Sequence, residues 1–344
     1  NKSMNYLGGR MRKRIMGVAL AAATIGLLAT GCQQKPEGAV ATVGDQVVTE
    51  DELNKYMGDL KKYYGEEMFN ESTQQGKTMV AEAKENVTEA LINQKVMDKI
   101  MADNKITVDE KEIDETINAM KEQIGGEEEF KKVLEAQGAT EEQLRQQYLE
   151  QLKSNKYNEF VSEKFKPSEE DIKKYFNDHK EDYTQYNANH ILITADSQVQ
   201  PKEGEEAAPV NPEEGKKKAQ ELAAALSKDA KKEGVDFARL AKRHSKDPGS
   251  AQNGGSLGNF LPFSMVEQFK NALKGMKAGD ISGPVESEYG YHVIKVNSVE
   301  EDFDKYDEEL KTQANQDITN KIIQQKSEDL INQYRRDLGV KKYK

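Results

Sequence analysis

The sequence predicts an α+β protein in which one compact α+β domain is inserted between N- and C-terminal helical segments. Apolar residues recur at helical spacing over residues 50–182 and again over 301–338. The stretch between them instead begins and ends with short β-branched or alternating runs, which are typical of strands. The chain has 344 residues, of which 36% are hydrophobic, so two or three domains with real cores are expected.

The composition excludes several classes of function. The formal net charge is −11, and an acidic chain repels polyanions, which disfavours a nucleic-acid-binding surface. The single cysteine excludes an intramolecular disulfide framework and a cysteine-rich zinc module. Four histidines in the whole chain leave little material for a metal site.

Residues 1–31 are interpreted as an export signal rather than as part of the fold. The basic run Met11–Arg14 precedes an apolar stretch of 14 residues that ends at Leu28. This stretch is too short for an ordinary membrane span but typical of the apolar region of a signal peptide. Because Asn1 is not a start residue, Met4 or Met11 is expected to be the initiator.

The end of this segment, Leu28-Ala29-Thr30-Gly31-Cys32, resembles the lipobox of bacterial lipoproteins. In that family the cysteine thiol carries a lipid and becomes the new N-terminus. The resemblance implies that Cys32 anchors the chain to the extracytoplasmic face of a cell membrane, in a Gram-positive type of bacterium, with residues 32–39 as a lipidated tether. The alternative is a secreted protein in which Cys32 is incidental.

Residues 40–185 are predicted to be mostly helical after two short strands. The strands, Val40–Val43 and Gln46–Val48, flank a Gly44-Asp45 turn. A Thr or Ser followed three residues later by an acid or amide marks the start of a helix. This spacing occurs at four places: Thr49/Glu52, Thr107/Glu110, Thr140/Gln143 and Ser168/Asp171. No side chains in this region have the spacing of a catalytic site.

Residues 186–298 are predicted to form the inserted α+β domain, and residues 299–344 the C-terminal helical segment. The predicted elements are a strand at His190–Ile193, a flexible loop over 195–212, helices over 213–230 and from Phe237, a glycine loop over Gly254–Gly258, a short helix over Met265–Leu273 and a strand over Tyr289–Val296. A domain of this order is a compact α+β unit.

Two histidines lie on the strands that begin and end this domain. Period-2 alternation places His190 on the face of Leu192, and His292 on the face of Ile294. An imidazole on an apolar face needs a hydrogen-bond partner. The residues alone leave two interpretations open, a pair of core histidines or a pair of site residues. His244 is expected to be structural and His179 a solvated helix residue.

Six blocks in this region occur in the order found in parvulin-type peptidyl-prolyl isomerase domains. They are His190–Ile193, Phe237–Ala241, Ser250-Ala251, Gly254–Phe260, Ile281–Val285 and Tyr289–Ile294. With the lipobox and the helical flanks, the chain resembles the PrsA-type foldase lipoproteins. Val40–Leu53 also resembles the start of SurA-like chaperone domains, which implies that the two helical segments pack into one such domain.

The resemblance also implies the site. His190 and His292 fall on the paired histidines of the family, and Asp247 falls where the family carries Cys or Asp. Three apolar residues fall on the proline-ring pocket: Leu257, Met265 and Phe269. Their alternative interpretation is ordinary core. The implied reaction needs no cofactor and no metal, and the lone cysteine lies in the anchor, so a thiol nucleophile is excluded.

The implied function is isomerisation of X–Pro bonds in exported polypeptides, which are the expected partners. Residues 195–215 carry six acids and one base, so a phosphorylated substrate is expected to be repelled. The alternative is a holdase chaperone whose parvulin domain is weakly active or inactive. A solute-binding lipoprotein is not supported, because paired α/β lobes are missing from the pattern. Helical arms also allow a homodimer.

Overall fold

The computed structural model describes residues 35–196 and 212–343 and has the mixed helix-and-sheet architecture that the sequence predicts. The predicted signal segment, Cys32 and most of the acidic loop lie outside the described residues. No helix within the described ranges is long and apolar enough to cross a membrane. The chain divides into two compact units. Unit 1 runs up to Lys166 and resumes at Ile323, and unit 2 is Pro167–Ile322.

The strands and helices are numbered in chain order. The strands are β1 Ala39–Val43, β2 Gln46–Thr49, β3 Gln185–Ile193, β4 Ser256–Phe260, β5 Val285–Ser287, β6 Gly290–Glu300 and β7 Lys341–Lys342. The helices are α1 Glu50–Tyr64, α2 Gln74–Asp103, α3 Glu110–Ile124, α4 Glu127–Ala136, α5 Glu141–Lys164, α6 Glu169–Asp178, α7 Lys180–Tyr183, α8 Pro212–Ala230, α9 Phe237–His244, α10 Glu267–Leu273 and α11 Glu308–Asp337.

Unit 1 contains a small antiparallel sheet in the order β2-β1-β7. Val43 pairs with Gln46, so Gly44 and Asp45 form the expected two-residue turn. Gly44 has φ +63°, the left-handed conformation that this turn requires and that glycine adopts at low cost. The two N-terminal strands are confirmed, whereas β7 carries too few residues for any pattern to predict it.

Side-chain caps start three of the four helices as the sequence predicts. Complete capping boxes begin α1 at Thr49, α5 at Thr140 and α6 at Ser168. The prediction at Thr107 is wrong, because the residue that caps α3 is Asp109, whose carboxylate accepts the Lys111 N–H at 3.0 Å. An aspartate is at least as good a cap as a threonine, and here it lies directly before the helix.

The core of unit 1 forms along α2 and the second half of α11. Val87, Leu91 and Ile92 of α2 are almost fully buried, and α11 adds Ile323, Leu330, Ile331 and Tyr334 against them. A smaller cluster around Ile117 and Phe130 holds α3, α4 and the start of α5 together. The prediction that N- and C-terminal helical segments pack together is therefore confirmed for these parts of the chain.

Unit 2 is built on a four-stranded antiparallel sheet in the order β4-β3-β6-β5. One face packs against α8 and α9 through Ile191, Ile193 and Val293. The other face packs against α10 through Ala188 and Ile294. Because side chains alternate along each strand, the even-numbered residues of β3 and β6 near the centre of the sheet share the α10 face.

The predicted loop over Gly254–Gly258 is wrong, because residues from Ser256 onward form β4. Gly255 has φ +76°, and a Cβ at this position would lie 2.1 Å from the carbonyl oxygen of His190. The His190 N–H donates to the Gly255 carbonyl at 2.8 Å. The glycines that indicate a loop in the sequence therefore let the chain pass close against β3 and continue as its neighbour.

Unit 2 is larger than the predicted domain of residues 186–298, because helical segments at both ends pack onto it. Phe176 and Tyr183, from α6 and α7, share a core with Leu310 and Ile318 of α11. The buried Tyr183 hydroxyl donates to Asp317 at 2.7 Å. An amphipathic helix pattern shows that a face is buried but not what buries it, so the sequence placed these segments with unit 1.

Candidate active site

The strand register of unit 2 brings His190 and His292 together. In the β3–β6 pair, His190 lies opposite Ile294 and Leu192 lies opposite His292, so the two histidines are diagonal neighbours on one face. Their Nδ1 atoms are 3.2 Å apart, and the rings are nearly parallel with centroids 5.4 Å apart. Only 6% of His190 and 5% of His292 is exposed, so each ring nitrogen needs a partner.

Asp247 reaches His190 from the loop that follows α9. The Nε2 atom of His190 lies 2.9 Å from Asp247 Oδ2 and 3.1 Å from Ser250 Oγ. The Ser250 hydroxyl also donates to Asp247 Oδ2. The loop is fixed to β3 because the Lys246 N–H donates to the Leu192 carbonyl at 2.7 Å. The structure therefore places the three predicted polar residues in one cluster and adds Ser250, which lies in one of the matched blocks but had no predicted role.

The sequence analysis missed Ser287. Its Oγ lies 2.7 Å from Nε2 of His292, on the far side of that ring from His190. Ser287 ends β5, which is only three residues long, so its alternation carries no detectable pattern. Only the pairing of β5 with β6, in which Val285 lies opposite His292, brings this hydroxyl to the site.

These contacts form a chain that has one consistent direction of donation when both imidazoles are neutral. Burial acts to raise the pKa of Asp247, but hydrogen bonds from Ser250 and His190 outweigh it and hold that pKa below its ordinary value. An ionised Asp247 requires His190 to donate from Nε2, which leaves Nδ1 of His190 as an acceptor. His292 then donates from Nδ1 and accepts the Ser287 hydroxyl at Nε2.

The electrostatics of His292 agree with this neutral form. Burial, with a further contribution from His190, lowers the pKa of His292 to about 4, and Asp247 opposes the shift. A ring that accepts at one nitrogen and donates at the other is neutral. The site at neutral pH therefore holds an uncharged imidazole at His292 and an ionised carboxylate at Asp247.

The three residues predicted for the proline pocket lie together beside the imidazoles. Phe269 of α10 is buried and meets both rings edge-on, with centroid distances of 6.0 Å to His190 and 5.5 Å to His292. Leu257 on β4 and Met265 before α10 are half-buried members of the same apolar cluster. A pocket that is apolar on one side and polar on the other is thus present at this face.

The remaining two histidines lie outside this cluster. His244 ends α9 and is half-buried, and burial followed by the nearby Arg243 lowers its pKa. His179 is half-buried rather than fully solvated, because it stacks on Tyr175 with ring centroids 4.0 Å apart. Among the described residues, no group of three or more His, Cys, Asp or Glu side chains is arranged to hold a metal ion.

Comparison with known proteins covers both units. A family model described as a PPIC-type PPIase domain matches residues 190–298, and one described as a SurA-like N-terminal domain matches residues 9–158. The foldase protein PrsA of Caldanaerobacter subterraneus is 30% identical over 332 residues, which cover 93% of this chain and 94% of that protein. The foldase protein PrsA of Staphylococcus aureus is 35% identical over 262 residues, 75% of this chain and 74% of that protein.

Among solved structures, a crystal structure of a peptidylprolyl isomerase (PrsA) from Bacillus cereus is 26% identical, covers 77% of this chain and 86% of its own, and superimposes with a TM-score of 0.37. The sequence relatives and the isomerase-domain match agree with the side chains gathered on the α10 face. The chain therefore belongs to the PrsA foldase family, and its parvulin-type domain is a peptidyl-prolyl cis-trans isomerase.

Proposed function

We propose that unit 2 isomerises unmodified X–Pro bonds of exported polypeptides by binding the twisted amide without forming a covalent bond. The observation that supports this proposal most directly is the Ser287–His292–His190–Asp247 chain beside Phe269. Every polar hydrogen that the direction of donation assigns to this chain is used within it. The site therefore offers a fixed polar wall next to an apolar pocket, and no activated nucleophile.

Catalysis of this reaction requires only that the twisted amide be stabilised relative to the planar amide. Rotation about a peptide bond costs about 18–20 kcal/mol, because resonance is lost at the twisted state. Each tenfold acceleration requires about 1.4 kcal/mol of preferential binding to that state. Water stabilises the charge-separated planar amide, so a pocket that excludes water favours rotation.

Each group in the site has a separate part in this proposal. Phe269, with Leu257 and Met265, grips the pyrrolidine ring while the carbonyl side of the amide turns. The ionised Asp247 disfavours negative charge on the amide oxygen, and that charge is larger in the planar than in the twisted amide. His190 holds the carboxylate in place, and His292 holds His190.

The charge pairing at the start of α8 is consistent with unphosphorylated substrates. Within the described residues, Glu213 and Glu214 begin α8, and Lys216 forms an ion pair with Glu286 of β5 at 2.6 Å. Lys218 is likewise paired with Glu214 at 2.7 Å. Because these lysines are paired with carboxylates, this part of the domain offers little net positive charge to a phosphorylated substrate.

Anchoring through Cys32 completes the proposed function. A lipid on Cys32 would hold both units at the outer face of the membrane, where exported polypeptides emerge unfolded. Cys32 lies outside the described residues, so the support is the lipobox-like sequence alone. Membrane localisation and a homodimer stay predictions.

A second function, holding unfolded chains, is favoured by a surface of unit 1. Tyr63 at the end of α1 is 82% exposed, and its ring packs edge-on against Tyr64 with centroids 4.8 Å apart. Met68 nearby is also exposed. Large apolar side chains clustered in solvent mark interaction surfaces. In this alternative, holding by unit 1 matters more than isomerisation.

A protease-coupled isomerisation assay on unphosphorylated X–Pro peptides separates the two functions. The full chain is compared with Asp247→Ala and His292→Ala, and with His244→Ala as a control half-buried histidine of the same unit. We expect both site variants to lose most of the acceleration and the control to keep it. If wild type does not exceed buffer but still suppresses aggregation of a denatured client, the proposed mechanism fails and the holding function stands.

A further inference from the structure

A groove of about 820 Å³ lies at the open edge of the unit 2 sheet, away from the six predicted site residues. Its base is the segment from Gly279 to Val285, which runs beside β6. The ends of α8 and α10 form its two sides. Because these helices cover opposite faces of the sheet, the groove is a slot at the sheet edge with a wall above and a wall below.

The backbone at the base of the groove is open for pairing. Ile281 lies opposite Lys295 of β6, and the flanking bonds are Ser282 N–H to the Ile294 carbonyl at 2.8 Å and Val296 N–H to the Asp280 carbonyl at 3.0 Å. In this arrangement the N–H and C=O of Ile281 point away from β6, into the groove. Neither group is paired with another residue that the structure describes.

The two walls differ in chemistry. On the α8 side lie Lys231, which follows α8, and Lys295, whose side chain shares the face of Val293 and Tyr291. On the α10 side lie Ala272 and Met276. One wall is therefore basic and the other is apolar.

The groove is positively charged, although the protein as a whole is acidic. Neither Lys231 nor Lys295 forms an ion pair with another described residue, although the chain carries a net charge of −11. The groove also contains Asp280, whose carboxylate accepts the Lys277 N–H at 2.8 Å. Two unpaired ammonium groups against one carboxylate leave the groove positive.

We propose that this groove docks an extended polypeptide segment in which acidic and apolar residues alternate. The segment adds to the sheet as a fifth strand by hydrogen bonding to Ile281. Since side chains of a strand alternate between faces, its acidic residues meet Lys231 and Lys295 while its apolar residues meet Ala272 and Met276. This strand-docking groove would give the isomerase unit a second contact with an unfolded polypeptide, one that requires no proline.

The inference does not depend on the proposed catalytic mechanism. The groove and the site approach each other at β5, where Val285 lies at one end of the groove and opposite His292 in the sheet, and along α10, which carries Phe269 of the pocket and Ala272 of the groove. None of the catalytic or pocket residues lines the groove. Docking and isomerisation can therefore be measured and disrupted separately.

Fluorescence anisotropy of a labelled hexapeptide of alternating valine and glutamate tests the charge pattern. We expect the full-length protein to bind it, and a double variant, Lys231→Glu with Lys295→Glu, to bind at least about tenfold more weakly, or about 1.4 kcal/mol. Arg at both positions should keep the affinity. Lys228→Glu is the control, because Lys228 is exposed in the last turn of α8, three residues before Lys231, but lies outside the groove.

A second peptide tests strand pairing. Two versions of the same hexapeptide carry N-methyl groups on alternate amides, one version on each edge of the strand. Both keep the charge of the peptide, but neither can hydrogen-bond along its methylated edge. The version methylated on the edge that faces Ile281 should therefore bind at least about tenfold more weakly than the other. The isomerase activity of the charge-reversed variant on a short prolyl peptide should equal that of wild type. Any one of four results would overturn the proposal. They are absence of binding to wild type, equal binding of a valine–lysine peptide, equal binding of both methylated peptides, and loss of isomerase activity in the charge-reversed variant.

Discussion

The hydroxyl of Ser287 is expected to set the direction of the whole hydrogen-bond chain in the site. It lies 2.7 Å from Nε2 of His292 and is the group assigned to donate to that nitrogen. In Ser287→Ala the nitrogen keeps its burial, since His292 is only 5% exposed, but loses its donor. We expect Ser287→Ala to lose activity because the protons of the two imidazoles no longer occupy fixed nitrogens, and not because a contact with the substrate is lost.

The size of the effect follows from the cost of an unpaired buried acceptor, about 1–3 kcal/mol. His292 can avoid this cost by moving its proton to Nε2. Its Nδ1 then faces the acceptor Nδ1 of His190 at 3.2 Å, and the central hydrogen bond is lost instead. Either outcome corresponds to a reduction of about 5- to 150-fold in kcat/KM if the ordered chain is needed in the transition state. We expect the reduction in kcat, because the apolar pocket that binds proline is unchanged.

Histidine-selective ¹⁵N labelling makes this measurable, because the chain contains only four histidines. In wild type, the ring of His292 should show a protonated Nδ1 and an unprotonated Nε2. Ser287→Ala should give mixed protonation and the lower kcat, and Ser287→Thr should restore both. Ser264→Ala is the control, because Ser264 is an exposed residue of the same unit whose hydroxyl donates to the Leu261 carbonyl and not to either imidazole. If the alanine variant keeps the wild-type protonation pattern and activity, the assigned direction of the chain is incorrect.

Three further predictions concern stability. The folded-state pKa of His292 is about 4, against an ordinary 6.5, so its contribution to the free energy of unfolding is complete above pH 6.5 and falls by about 3 kcal/mol as the pH falls toward 4. The midpoints of urea unfolding at pH 7 and 4.5 should show this loss, and His292→Asn should reduce the difference between them. Gly255→Ala should destabilise by about 2 kcal/mol or more, because both φ +76° and the backbone of His190 oppose a Cβ. Gly258→Ala, with φ +66° but nothing within 4 Å, should cost only the backbone strain in the same urea titration. Thr49→Ala should lose about 1 kcal/mol in circular-dichroism melting, since it removes the side-chain cap of α1.

The sequence predicted helices and strands best where they depend on interactions between residues that are close in the chain. The capping boxes at Thr49, Thr140 and Ser168 are all present, because such a bond spans only three residues. The strands that carry His190 and His292 were also found, although β3 begins earlier than predicted. β4 was missed, because glycines indicate a turn unless the close approach of a neighbouring strand is known.

The sequence predicted which residues form the site, but it did not predict all the contacts between them. The blocks shared with parvulin-type domains identified His190, Asp247 and His292, and the structure brings them into contact. The contacts of Ser250 and Ser287 depend on how a loop and a short strand fold back onto β3 and β6. Such contacts cross many residues of chain, so no local spacing reports them.

The amino-acid sequence by itself determined the kinds of element, the family and the candidate site residues, because helix caps, strand alternation and shared blocks are all encoded within short stretches. Only the tertiary structure decided how far each unit extends, that the two imidazoles and Asp247 come into contact, and that a basic slot opens at the sheet edge beside Ile281. These features arise from burial and from strand register, which join residues about one hundred positions apart, as His190 and His292 are.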